Sequence, residues 1–212
     1  MKKLFLTSSV GRVANDIATK LEIRNGTSLV FVTTASETET DDLSWRDDDR
    51  QALVAAGFNV TDYTFTDKST DEIKANLKQF DVICIEGGNT FYLLEKIQQS
   101  QCQEAIIELV SNGMPYIGSS AGSMIAGPNI HPLRHLERDH FPTLDGYEGL
   151  GLIDFVIFPH WGRDDFKDLY LVRRMKYNYN DQYKYILLTD NQYLQVTDNE
   201  IKFIDIKHDK NQ

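Results

Sequence analysis

Met114-Pro115-Tyr116-Ile117-Gly118-Ser119-Ser120-Ala121-Gly122 runs from a short apolar stretch into a turn made almost wholly of small residues. This is the pattern of a strand that delivers a serine onto a sharp strand-to-helix turn. There, strained backbone and the crossing of the next helix leave room only for small neighbours. Gly118, Ala121 and Gly122 meet that demand and make Ser120 the candidate nucleophile. Backbone N–H groups at the start of the following helix lack intrahelical acceptors, so the Ala121 N–H is a candidate donor to an oxyanion beside the serine. A glycine-rich loop after a buried strand is the alternative reading of the same residues.

Outward from this turn, short β-rich runs alternate with longer amphipathic stretches. Residues 4–7, 28–33, 59–63, 82–86, 116–118 and 155–158 read as strands, and 13–23, 43–56, 71–77, 90–98, 103–112 and 164–175 as helices. The strands are continuously apolar rather than alternating, as expected of strands covered on both faces. The fold class is therefore α/β, a doubly wound, mostly parallel sheet with helices on both faces. From Tyr185 the pattern changes to three strand-like runs, 185–188, 193–197 and 201–206. The last two are separated by the turn Asp198-Asn199-Glu200, which predicts an antiparallel C-terminal edge. At 212 residues and 41% hydrophobic, the chain fits a single domain, 1–212, large enough to enclose a pocket. Residues 208–212 read as a flexible end.

A formal net charge of −10 argues against a nucleic-acid backbone or an anionic membrane as partner. Cys84 sits in an apolar run and Cys102 in a helical one, with no spacing that implies a disulfide framework or a zinc site. A reducing cytoplasm is the expected compartment. The basic start Met1-Lys2-Lys3 is followed by an apolar segment too short for a secretory signal, and no window approaches a membrane span.

Ligands of open α/β sheets bind beyond the carboxyl ends of the strands. Those ends carry Thr33-Thr34-Ala35-Ser36, Glu86-Gly87-Gly88-Asn89-Thr90, Ser119-Ser120 and Pro159-His160-Trp161-Gly162-Arg163. A serine hydroxyl needs a base within hydrogen-bond reach, usually histidine. Of the five histidines only His160 follows a buried strand at this edge. An acid must then fix the imidazole tautomer, and Asp190, ending the run 185–189, fits best; Asp190-Asn191 also reads as a simple turn. The order Ser120, His160, Asp190 differs from that of α/β-hydrolases, whose acid lies between serine and histidine. Glu137, Asp139, Asp145, Glu148 and Asp154 lie between, which weakens the hydrolase order without removing it. In Gly87-Gly88-Asn89 the missing side chains let backbone N–H groups approach a substrate carbonyl, so Gly88 is the second oxyanion candidate and Asn89 a substrate contact.

Glu86-Gly87-Gly88-Asn89-Thr90, Gly118-Ser119-Ser120-Ala121-Gly122-Ser123 and Pro159-His160 together resemble the serine peptidase family of aspartyl dipeptidase (peptidase E) and cyanophycinase. That family's fold is similar to class I glutamine amidotransferases, and the resemblance runs from about Lys3 to the last strands. It implies Ser120 as nucleophile, His160 as base, and Gly88 with Ala121 as oxyanion donors. The family's third member is a glutamate near a late strand. The matching place here holds Asp190, one methylene shorter, with Glu86 as fallback. Amidotransferases carry cysteine at the elbow, so serine here points away from glutaminase chemistry; Cys84 is expected to be a buried, inert thiol.

The acid-rich segment 37–49 reads as a solvated loop and helix start, with a rim for cationic peptides as the sharper alternative. His131, His135, His140 and Asp139 do not make a convincing metal site, because Pro132 interrupts the helix that would align the first two. Residues 128–149 form either a substrate lid or a surface excursion. Resemblance to aspartyl dipeptidase implies selection of an N-terminal aspartate, and Arg134, Arg138 and Arg163 are the candidate cations, Arg163 being placed on the reactive edge. The reading is thus a cytoplasmic serine peptidase of the aspartyl dipeptidase type acting on small peptides, with no cofactor or metal. A homodimer is left open. An esterase or amidase on a non-peptide acyl group, or a silent small-molecule binder, are the rival readings.

Overall fold

Strand residues alternate between two apolar cores, because each strand is covered on both sides. Strands β1 (Lys3–Thr7), β2 (Thr27–Val32), β3 (Phe58–Tyr63), β4 (Val82–Ile85) and β5 (Tyr116–Ser119) lie parallel in the order β3-β2-β4-β5-β1. This is a computed structural model, and it describes residues 1–40, 42–134 and 144–207. Asp41, His135, Glu137, Arg138, Asp139, His140 and the tail 208–212 lie outside the described residues.

On one face Phe5, Leu29, Phe31, Val82 and Ile117 pack against Val10, Val13 and Ile17 of α1 (Val10–Leu21) and Leu53 of α2 (Ser44–Ala55). On the other, Leu4, Leu6, Val30, Ile83 and Tyr116 meet four helices: α3 (Thr70–Leu77), α4 (Thr90–Ser100), α5 (Gln103–Ser111) and α6 (Ala121–Ile125). Ile73, Leu94, Ile97, Ile106 and Met124 supply that contact. Each fully buried Leu, Ile or Phe contributes about 1.5–3 kcal/mol, so the layers themselves hold the sheet edge in place. Helix α1 starts three residues before the expected position. The Val10 N–H donates to Ser119 Oγ (3.0 Å) and the Gly11 N–H to Asp49 Oδ1 (2.9 Å), which satisfies the helix start from outside.

The doubly wound parallel sheet with helices on both faces and an antiparallel edge is present as expected. That edge is β8 (Gln192–Thr197), paired antiparallel with β1, and β9 (Glu200–Asp205), paired with β8. Residues 185–188 do not join it. Strand β7 (Tyr185–Leu187) pairs parallel with β6 (Val156–Phe158) in a separate two-stranded sheet. A parallel pair needs a crossover, and the segment between the two strands supplies it. That segment is not the single helix expected over 164–175. It runs as a 3₁₀ turn (Asp164–Phe166), a π-helix (Leu169–Arg174) and the short α7 (Met175–Tyr177). The wide turns carry Tyr170 and Arg174, both buried. Among the described residues no helix is long and apolar enough to cross a membrane.

Candidate active site

The turn after β5 is held by contacts that only small residues allow. A Cβ on Gly118 would lie 2.6 Å from the Gly122 carbonyl oxygen, and one on Gly122 would lie 2.0 Å from that of Ile85. Ser120 takes φ 47° and ψ −103°, a region that costs a non-glycine residue of order 1–3 kcal/mol. The surroundings hold it there. Its N–H donates to Thr7 O (3.0 Å), the single Ser123 hydroxyl hydrogen is shared between Thr7 O (2.7 Å) and Gly118 O (2.8 Å), and Tyr116 OH donates to Gly122 O (2.6 Å). Ser119 Oγ donates to Asp49 Oδ2 (3.0 Å), tying the turn to α2.

His160 follows β6 and also has positive φ, 61°. Its Nε2 lies 3.0 Å from Ser120 Oγ and its Nδ1 2.7 Å from Asp190 Oδ1. The structure thus brings together Ser120, His160 and Asp190 as one hydrogen-bonded chain. Burial pulls the Asp190 carboxyl up, but the hydrogen bond and charge of His160, helped by Arg163, outweigh it and leave the group below its ordinary value. The His160 backbone is pinned from two sides. Its N–H donates to Ser8 Oγ (3.1 Å), which in turn donates to Leu188 O (2.8 Å), and Tyr170 OH donates to the Pro159 carbonyl.

Glu86, the fallback acid, does not touch the imidazole; its side chain bonds to Ser36. Gly87 lies against Ser120, since a Cβ there would be 3.3 Å from Ser120 Cβ. Gly88 has φ 123°, and its added Cβ would fall 2.3 Å from Ala35 O, so only glycine fits. Among the described residues, the Gly88 and Ala121 N–H groups donate to no backbone carbonyl. Asn89 lines the same cleft, but its Oδ1 caps α4, accepting from the Phe91 (3.0 Å) and Tyr92 (2.9 Å) N–H groups.

The cleft over Ser120 has a volume of about 890 Å³. Its wall carries Arg163 and Arg174 as cations, Glu37, Glu39, Asp49 and Asp165 as acids, and Trp45 and Phe166 as flat apolar surface. Arg163 is bidentate to Asp165 (Nε–Oδ1 3.0 Å, Nη2–Oδ2 2.5 Å), with Asp190 Oδ2 3.8 Å away. Arg134 bonds to His131 instead, and residues 128–134 and 144–149 do not line the cleft. Cys84 and Cys102 are buried and unbridged, and burial pushes the Cys84 thiol well up, as expected of an inert thiol.

Ser8, Trp45, Asp49, Tyr170 and Arg174 went unread in the sequence. Ser8 directly follows β1 at the ligand edge, a strand-end position legible in the sequence. Asp49 belongs to the acid-rich run 37–49, yet its carboxyl is buried and raised by that burial against hydrogen bonds from Gly11, Ser119 and Ser9.

A serine at a strand-to-helix elbow, hydrogen-bonded to histidine at the edge of a mainly parallel sheet, defines an α/β serine hydrolase. The chain belongs to peptidase family S51, whose model matches residues 4–204, and it is accordingly a serine peptidase. An uncharacterized peptidase of Listeria innocua is 31% identical over 95% of both chains. Peptidase E of Haemophilus influenzae is 32% identical over 64% of this chain and 59% of its own. A crystal structure of a candidate peptidase E from Listeria monocytogenes superposes with TM-score 0.86 at 28% identity, covering 97% of this chain and 98% of that one. A peptidase from an acI-B1 Actinobacterium shares the fold, with TM-score 0.67 at 17% identity.

Proposed function

We propose that the protein is a dipeptidase-like hydrolase of small peptides that works through Ser120, His160 and Asp190. The observation that carries this reading is the hydrogen-bonded chain from Asp190 through both imidazole nitrogens to the strained Ser120 hydroxyl. His160 removes the Ser120 proton as Oγ attacks the scissile carbonyl, then returns it to the leaving amine; Asp190 holds the tautomer and stabilises the imidazolium. The carbonyl oxygen, as it gains charge, enters the space facing the Gly88 and Ala121 N–H groups. Water repeats the sequence on the acyl-enzyme.

A cleft of about 890 Å³ suits a ligand of a few residues. Its mixture of charges suits a zwitterion. Arg163, beside Asp165 and Asp190, and Arg174, buried deeper with its guanidinium over the Tyr170 ring 4.3 Å from the centroid, are the cations of the cleft wall. An acidic residue of the substrate is received there, Arg174 acting from the depth of the wall and Arg163 through Asp165 and Asp190. Buried, unbridged cysteines agree with a reducing cytoplasm as its place of work.

Fluorophosphonate labelling combined with a dipeptide panel tests the reading. Stoichiometric modification of Ser120 and cleavage of dipeptides with an acidic first residue are expected. An unlabelled Ser120 would make the protein a binder, and cleavage of esters alone would replace the peptidase reading with an esterase.

A further inference from the structure

Glu86 is fully buried at the end of β4, immediately before Gly87-Gly88, yet it is no part of the hydrogen-bonded chain through His160. Its main chain and its side chain reach the supports of both candidate oxyanion donors. The Glu86 carbonyl accepts the Gly122 N–H (3.1 Å), fixing the first turn of α6 that presents Ala121. Its carboxyl bonds to Ser36, and the Ala35–Ser36 peptide is the floor on which Gly88 rests: a Cβ on Gly88 would lie 2.3 Å from Ala35 O and 2.7 Å from Ser36 N. The Asn89 N–H closes the contact by donating to Ala35 O (2.7 Å).

The Ser36 hydroxyl has one hydrogen and two acceptor neighbours, Thr33 O at 3.1 Å and Glu86 Oε1. Thr33 O also accepts the Ser36 N–H (3.2 Å), and each Oγ contact has a hydrogen of its own when Ser36 donates to Thr33 and the carboxyl, carrying its proton, donates to Ser36 Oγ. Glu86 Oε2 has no partner among the described residues, which a neutral acid tolerates far better than a carboxylate. We infer that Glu86 is a positioning residue that, as a neutral acid donating to Ser36, holds the 34–36 turn against Gly88 and so sets the geometry of the oxyanion hole.

Burial is the largest cause that leaves Glu86 raised to about 8, with Asp49 and Asp62 adding to it; Arg46, and Ser36 wherever it donates to the ionised form, oppose it. Cys84, the other titratable neighbour, is held neutral by burial. As pH rises through about 8 the carboxyl ionises, the donor to Ser36 is lost and the floor loosens.

This inference rests on the hydrolase reading above, and Ser120→Ala serves as its reference. Glu86→Ala is expected to lower kcat about tenfold to a hundredfold with little change in KM, less than the ~10²–10³ lost with an oxyanion donor itself. Glu86→Gln keeps a donor for Ser36, so it should recover most of kcat at neutral pH and lose the alkaline decline of the native enzyme. Ser36→Ala carries the same kcat expectation if Glu86→Ala does not fold. A Glu86→Gln enzyme as impaired as Glu86→Ala, or one keeping the native alkaline decline, overturns the inference. An unimpaired Glu86→Ala beside an inactive Ser120→Ala overturns it alone, whereas an active Ser120→Ala overturns the hydrolase reading beneath it.

Discussion

His160 and Asp190 face each other across 2.7 Å because β6 and β7 run parallel in register, Phe158 opposite Leu187, and each strand releases its functional residue a few positions beyond its end. Ser120 comes from the other, larger sheet. His160 and Asp190 are therefore set as one unit, and their distance to Ser120 depends on how two sheets meet. Ser8 bridges that junction, accepting from the His160 N–H and donating to Leu188 O.

Ser120→Ala should fold normally and lose about 10⁴-fold or more in turnover, since nucleophile and base act as a unit. Unchanged circular dichroism with abolished dipeptide hydrolysis is the expected pair of measurements. His160→Ala should match it.

Asp190→Asn leaves the shape intact and offers the imidazole a neutral amide that favours the wrong tautomer. A loss of about 10³–10⁴ in kcat is expected, with a small change in melting temperature. A near-native rate would move the orienting role away from Asp190.

Gly122→Ala should destabilise by about 3 kcal/mol or more, at the upper end for overpacking, because the new Cβ would lie 2.0 Å from the Ile85 carbonyl oxygen, a backbone atom that cannot swing aside. Chemical denaturation measures it. Gly151→Ala, at φ 60° with nothing within 4 Å, is the control for backbone strain without a clash.

Stability should fall as pH rises from the mid-4s toward about 8, where Glu86 titrates when folded. The folded state holds a proton that the unfolded state, with an ordinary glutamate, releases earlier, so the unfolded state gains with rising pH. Asp49, also raised by burial, acts in the same direction. Melting temperature followed against pH should show a shallower slope for Glu86→Gln than for the native chain.

Arg174→Met should raise KM for dipeptides with an acidic first residue about tenfold or more while leaving neutral ones nearly unchanged. Arg163→Met should instead lower kcat on both classes, because it releases Asp165 and alters the charge beside Asp190. Equal KM effects of Arg174→Met on both classes would assign it to structure.

The sequence by itself determined the features that rest on local sterics and strand composition. Gly118, Ala121 and Gly122 announce the elbow because no larger residue passes the crossing helix, and continuous apolar runs announce a doubly covered parallel sheet. His160 and Asp190 were readable as strand-end residues. Only the tertiary structure decided the partners. Ser36 with Glu86, Asp49 with Ser119 and Ser8 with Leu188 are separated by 50, 70 and 180 residues, and no periodicity encodes such pairs. The same holds for β7, whose residues suit either sheet. Its place beside β6 follows from the crossover through Tyr170 and Arg174, since hydrogen bonding between strands reads the backbone and leaves the choice of neighbour to whatever packs on the faces.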